Sequence, residues 1–289
     1  MMPDLSSLKG PEHRPFTLEG DADRAALLVH GFPGSPAEMR PLAEALHAAG
    51  WTVHAPLLPG FAAEIETLFE RTHEEWAATV RTALADLRRR HRRVLIGGHS
   101  MGAALALRVA AESAARANGA APDGAALSAP FWRLGSRTIE LAWPVLRLLG
   151  RSIKPFRLIR LDFDDPEMRD GIRQWMGDVD LDDPAVQQSI RDLQFPVGVF
   201  DEVRRAGAAA YRAAADLRLP TLVIQGRADN LVTVPRTRDL IRRIPGPLRY
   251  LEVDADHDLV NDSGPAWEEV RAAVLAFAAW LDGGEGRPA

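Results

Sequence analysis

The sequence predicts an α/β fold, with a mostly parallel central sheet and helices on both of its faces. Three observations lead there. Short apolar runs alternate with helix-length amphipathic segments along most of the chain. The runs are near-continuously apolar rather than alternating, as strands covered on both faces tend to be. The chain is long, 289 residues, and 46% hydrophobic, enough for a large covered core.

Taken in order, "AALLVH" (25–30) is a buried strand that stops at "GFPG". A helix follows over "PAEMRPLAEALHAAG", and Gly50 closes it, since glycine tolerates the left-handed turn that ends helices. "WTVHAP" (51–56) is the next strand. "THEEWAATVRTALADLRRR" has helical spacing, with Trp76, Val80, Ala83, Leu84 and Leu87 on one face. "RVLIGG" is a strand, "MGAALALRVAAESAARA" a helix and "DGAALSAP" a further strand. The strands "LPTLVIQG" (219–226) and "LRYLEV" (248–253) and the helix "AWEEVRAAVLAFAAWL" complete the pattern.

Residues 131–200 break the alternation. They hold helix-like pieces and turn signals, with no convincing strand and no second hydrophobic core. Asp183-Pro184 is a helix start, a capping acid followed by proline in the first turn. The expected organisation is a core of residues 1–130 and 201–289, with 131–200 as a helical cap, or lid, over one edge of the sheet.

Composition excludes several classes of function. A net charge of −5 and a pI of about 5.9 do not suggest a nucleic-acid-binding face. The basic run "RRRHRR" (88–93) reads as a solvated helix end, its cations near the C-terminal dipole. The chain has no cysteine, hence no disulfide, thiolate nucleophile or Cys-ligated zinc. "MMPDLSSLKGPEHRPF" has no apolar stretch fit for a signal peptide, and "IELAWPVLRLLG" is short and interrupted by Glu140, Pro144 and Arg147. A cytoplasmic protein without an integral membrane segment is expected, its oligomeric state left open.

The chemistry concentrates at "GGHSMG". Gly98-His99-Ser100-Met101-Gly102 fits G-x-S-x-G between a strand and a helix. There a sharp, strained turn lifts the serine hydroxyl above the sheet, and Gly98 and Gly102 let neighbouring backbone approach. The Met101 N–H, at the helix N-terminus, can receive an oxyanion. "VHGFPGSP", with Gly31 and Gly34, places a second donor, the Phe32 N–H, after an early strand. His30 reads as a structural hydrogen-bonder. Asp229 follows the strand in "TLVIQGRADNLV", and His257 follows the last strand in "LEVDADHDLVND". A serine hydroxyl needs a base, and the base needs a carboxylate to fix its tautomer. Asp254, Asp256 and Asp258 are rival acids, but near neighbours on a tight loop rarely point at the same ring. Asp201 and Glu202, at the end of the insertion, are rivals on an expected helix. The strand-end context favours Asp229.

The order Ser100, Asp229, His257, together with "LLVHGFPGSPAEMRPLAEAL", "GGHSMGAALAL", "LVIQGRADNLV" and "DHDLVND", resembles the serine-dependent α/β-hydrolase superfamily, in its carboxylesterase and monoacylglycerol-lipase-like branch. The resemblance covers nearly all of the chain outside the insertion and the first dozen residues. It implies Ser100 as nucleophile, Asp229 as acid, His257 as base, and Phe32 and Met101 as the oxyanion amides. The reaction implied is hydrolysis of carboxylic esters of short-to-medium acyl chain, or of monoglycerides, through an acyl-enzyme and without a cofactor. One departure is "LLPGFAAE", where relatives often carry G-x-G or G-H-G. Phe131, Trp132, Trp143, Leu146 and Trp175 are the expected substrate-pocket residues, drawn from an insertion that also offers Leu149, Phe156, Phe163 and Met176. Two other readings stand beside this one: the same triad serving thioesters, amides, peracid formation or C–C hydrolysis, and a non-catalytic small-molecule-binding protein of the same fold.

Overall fold

A computed structural model describes residues 9–116, 120–133, 143, 152–153, 161–164, 169, 172, 180–192 and 195–283. Seven strands form one sheet in the order β1-β3-β2-β4-β5-β8-β9: β1 Phe16–Leu18, β2 Arg24–Val29, β3 Thr52–Ala55, β4 Arg93–His99, β5 Gly124–Ser128, β8 Thr221–Gly226 and β9 Leu248–Val253. All neighbours pair in parallel except β1, which runs antiparallel to β3 with Phe16 opposite Ala55. β1 is too short to show a period in sequence, and only its pairing reveals it. β2, β4, β5 and β8 are buried along nearly their whole length, as continuous apolar runs require.

The expected helices form around this sheet. α1 (Arg40–Ala48) follows a 3₁₀ turn over Pro36–Met39, and the left-handed Gly50 ends its connection to β3. α2 (His73–Arg90) begins in a reciprocal capping box between Thr72 and Glu75. At the Arg-rich end of α2 Arg89 and Arg90 are exposed, as a solvated helix end requires, while Arg88 and, at the start of β4, Arg93 reach Asp123 at 2.7 and 3.1 Å. α3 (Met101–Ala115) is small-sided and buried almost all round, as fits a helix packed against the sheet on one side and against other helices on the rest.

The chain leaves the sheet after β5 and returns at β8. In that excursion α4 (Pro184–Arg191) starts where expected, with the Asp183 carboxylate accepting the Ala185 N–H. α5 (Val197–Ala213) runs straight through the expected cap boundary at 200 and packs on α3. Two expectations fail here. Ser152–Ile153 (β6) and Phe195–Pro196 (β7) pair as a two-stranded antiparallel ribbon. A second small core also exists, with Phe163, Ile172, Leu181 and Ile190 buried together. Both depend on contacts between residues tens of positions apart, which local periodicity does not register. α6 (Val234–Ile241), missed in the sequence, and α7 (Trp267–Leu281) close the fold.

This topology has a switch point. From β2 the chain steps outward to β3, then crosses back to β4 on the other side of β2. The loops leaving β2 and β4 therefore diverge at the carboxyl end of adjacent strands and open a crevice, where open α/β sheets hold their ligands. The Gly31 loop and the Ser100 turn lie there.

Candidate active site

Ser100 stands between β4 and α3 with φ 53° and ψ −116°, a left-handed backbone that side-chain-bearing residues rarely adopt. Its surroundings enforce the turn. A Cβ on Gly98 would lie 2.6 Å from the Gly102 carbonyl carbon, and one on Gly102 only 2.1 Å from the Val29 carbonyl oxygen. The two glycines thus let β4, α3 and β2 meet backbone to backbone. The Ser100 N–H donates to Ser128 O at 2.9 Å, and its carbonyl accepts from Phe131 N–H at 3.1 Å. The turn is thereby tied to β5 and its exit.

Three expected residues from distant parts of the chain converge. His257 Nε2 lies 3.0 Å from Ser100 Oγ, and His257 Nδ1 lies 2.7 Å from Asp229 Oδ2. The carboxylate can only accept, so Nδ1 carries the proton and Nε2 faces the serine hydroxyl as acceptor. Asp229 is 4% exposed. Its Oδ1 accepts the Leu231 and Val232 N–H groups at 2.8 and 2.7 Å, and its Oδ2 also accepts from Gln225 Nε2 at 3.1 Å. Burial alone would raise its pKa, but the His257 hydrogen bond and charge, the Val232 amide and Gln225 together hold it below the ordinary range. Gln225, itself fully buried, is fixed by Thr237 Oγ1 and by the Val232 carbonyl. Sequence reasoning missed Gln225, although a lone amide in the buried strand "TLVIQG" was its signal.

Four of the five rival acids are engaged elsewhere. Asp201, buried in α5, accepts the Trp143 indole N–H at 2.8 Å and pairs with Arg204 and Arg205. Glu202 receives the His73 N–H and ring at the start of α2. Asp256 accepts the Asp258 N–H, and Asp258 accepts from Asn261.

The loop leaving β2 is held at both faces of one residue. His30 is fully buried. Its Nδ1 donates to Gly31 O at 2.9 Å, and its Nε2 accepts the Leu58 N–H at 3.2 Å, which fits a single neutral tautomer. Burial pushes its pKa down to about 4, against the opposing Gly31 hydrogen bond. This is the structural role expected of it. With the Gly31 carbonyl held by His30, the trans peptide turns the Phe32 N–H to the opposite side. The Met101 N–H is the first of α3 and has no carbonyl one turn back within the helix.

The Phe32 ring is boxed in by aromatics, edge-on to Phe61 at 6.0 Å and to Phe200 at 5.8 Å. Phe61 comes from "LLPGFAAE", so the departing loop buries a phenyl ring between Phe32 and Trp76. Of the expected pocket residues, Phe131 is buried beside the Ser100 turn. Trp132 stacks on Tyr211 at 4.3 Å and donates its indole N–H to Arg236 O. Trp143 reaches Asp201. Leu146 and Trp175 lie outside the described residues.

A family described as Serine aminopeptidase, S33, matches residues 20–264, a span that includes all three converging side chains. The chain belongs to the S33 family. This S33 member is 41% identical over 103 residues to a thermostable monoacylglycerol lipase of Bacillus sp. (strain H-257), a stretch covering 36% of the chain and 40% of that lipase. It is 41% identical over 63 residues to a carboxylesterase of Bacillus subtilis (strain 168), covering 22% and 25%. The matched stretches thus span less than half of either relative. Its fold is that of a solved metagenome-derived lipolytic enzyme from a study of LipS and LipT, with a TM-score of 0.72, 23% identity and coverage of 93% of this chain and 98% of that one. Among the described residues, no helix of this S33 protein is long and apolar enough to cross a membrane.

Proposed function

We propose that this protein is a cytoplasmic serine carboxylesterase, cleaving esters of short-to-medium acyl chain or monoglycerides through an acyl-enzyme on Ser100. The observation that carries the proposal is the unbroken hydrogen-bonded line from Asp229 through His257 to the hydroxyl of a strained Ser100. Local identity to a monoacylglycerol lipase and a carboxylesterase supports the ester as substrate.

In this reading Ser100 Oγ attacks the ester carbonyl carbon while His257 Nε2 takes its proton. The carbonyl oxygen becomes an oxyanion and is received by the Phe32 and Met101 amides. Asp229, kept ionised, holds the imidazolium in place without accepting its proton. His257 then protonates the leaving alcohol, and water enters to release the acid by the same steps in reverse roles. Residues 131–200 act as the cap. Support comes from Phe131 beside the turn and from Phe200, at the start of α5, which meets Phe32.

The test is a fluorophosphonate probe with p-nitrophenyl esters, acyl-CoAs and aminoacyl p-nitroanilides as substrates. Probe labelling confined to Ser100 and ester turnover well above that of the others are expected. Ester turnover by pure Ser100→Ala at wild-type rate would refute the nucleophile, and a preference for the anilides would refute the ester.

A further inference from the structure

Beneath the loop that carries Phe32 lies a carboxyl group that the acyl-transfer steps do not use. Glu38 stands on the 3₁₀ turn before α1, and its Oε2 accepts the Gly31 N–H at 2.5 Å. The loop folds around it. A Cβ on Gly31 would lie 3.3 Å from Glu38 Oε1 and equally 3.3 Å from Ser100 Cβ, while one on Gly34 would lie 3.1 Å from Glu38 Oε2. Both glycines therefore press on this carboxyl group, and Gly31 lies between it and the serine. Glu38 Oε1 is 3.9 Å from the Nε2 of His99, a residue 3% exposed whose ring packs 4.9 Å from the His257 ring and whose Nδ1 has no hydrogen-bond partner among the described residues.

We propose that Glu38 is a positioning residue for the acyl-transfer step: by accepting the Gly31 N–H it clamps the loop so that the next peptide, with its Phe32 N–H, meets the developing oxyanion. His30 holds the carbonyl of Gly31 and Glu38 holds its amide, so the residue is fixed from both sides and cannot rotate away as charge builds. The proposal rests on the Ser100 reading above.

The carboxyl is largely covered, its side chain 22% exposed. Burial, partly opposed by the Gly31 hydrogen bond and reinforced by the nearby Asp258 charge, pushes its pKa up to about 8. The titratable groups facing it are His99 at the end of β4 and Asp258 in the loop after β9. Burial, and then the His257 charge, push His99 down to about 3, so it offers no cation. Burial also raises Asp258, ahead of its hydrogen bond to Asn261. An ionised Glu38 would thus place an uncompensated negative charge beside the point where the oxyanion forms, and turnover should fall as pH rises through its pKa.

The experiment compares kcat and KM on p-nitrophenyl butyrate from pH 5.5 to 10 for the wild type, Glu38→Gln and Glu38→Ala. A glutamine carbonyl can still accept the Gly31 N–H and cannot ionise. Glu38→Gln should keep kcat at pH 7 within about threefold and lose the decline near pH 8, while Glu38→Ala should lose about tenfold or more in kcat with little change in KM. Circular dichroism confirms the fold of each. Wild-type kcat in folded Glu38→Ala, or a loss in Glu38→Gln equal to that in Glu38→Ala, would overturn the proposal. Should the alanine variant not fold, an undiminished alkaline decline in Glu38→Gln overturns it as well. Ser100→Ala run alongside tests the nucleophile separately, since turnover there refutes that assignment whatever the Glu38 variants do.

Discussion

Replacing Asp229 by asparagine tests the site where the geometry is most constrained. The two carboxylate oxygens receive four N–H donors: Leu231 and Val232 on Oδ1, Gln225 and His257 on Oδ2. Asparagine has one acceptor oxygen. If that oxygen keeps the two backbone amides, its NH₂ group faces His257 Nδ1 and the Gln225 amide. His257 must then accept at Nδ1 and carry its proton on Nε2, where it can no longer take one from Ser100. If the amide flips, two buried backbone N–H groups lose their acceptor at about 1–3 kcal/mol of stability each. The first arrangement is cheaper for the fold and ruinous for the base. In serine proteases the corresponding change costs about 10⁴ in kcat, or about 5.5 kcal/mol of transition-state stabilisation. A loss of that order is expected here in kcat on p-nitrophenyl butyrate, with Tm reduced by only a few degrees. A kcat within tenfold of wild type would refute the assigned tautomer, and with it Asp229 as the orienting acid.

Four further outcomes are expected. Gly102→Ala should cost stability at or above the upper end of the about 1–3 kcal/mol typical of overpacking and lower Tm accordingly, because its Cβ would meet the Val29 carbonyl at 2.1 Å; Gly198→Ala, in open space near the start of α5, should leave Tm unchanged or raised, and thermal melts of both decide. His30 and His99 have native pKa values near 4 and 3, below that of an exposed histidine. The unfolded chain therefore binds more protons, and Tm should fall as pH drops from about 6.5 towards 4, less steeply in His99→Gln. Glu38 is displaced the other way, its native pKa raised to about 8, so the native state binds the extra proton. Its cost should grow from about pH 4.5 to 8, and Glu38→Gln should gain in Tm over wild type across that window in differential scanning calorimetry. Finally, Phe200→Ala, which removes a ring from the side of Phe32, should move the p-nitrophenyl ester optimum to longer chains, each newly buried methylene contributing up to about 0.8 kcal/mol, roughly fourfold in kcat/KM; an unmoved optimum would place the acyl pocket elsewhere.

The sequence by itself determined the features that are local. Near-continuous apolar runs marked β2, β4, β5 and β8, because strands buried on both faces must be apolar almost throughout, while β3 and β9 were marked by shorter, mixed runs. Gly98 and Gly102 marked the elbow, because no side chain fits where their backbones meet Val29 and one another. The chain order of Ser100, Asp229 and His257 could be read because each follows a strand, and parallel strands bring their carboxyl ends to one edge. What only the tertiary structure decided is pairing across distance. β1 and the ribbon of β6 and β7 are too short for a period, and hydrogen bonding to a remote partner defines them. Asp201 carries the same carboxylate as Asp229, and only its place against Trp143 and two arginines sets it apart. Gln225 is marked in the sequence only as a lone amide in an apolar strand, and Glu38 looks like an ordinary surface acid. Their roles arise from the groups the fold brings to each one, Asp229, Thr237 and the Val232 carbonyl for Gln225 and the Gly31 N–H for Glu38, through contacts that no local pattern encodes.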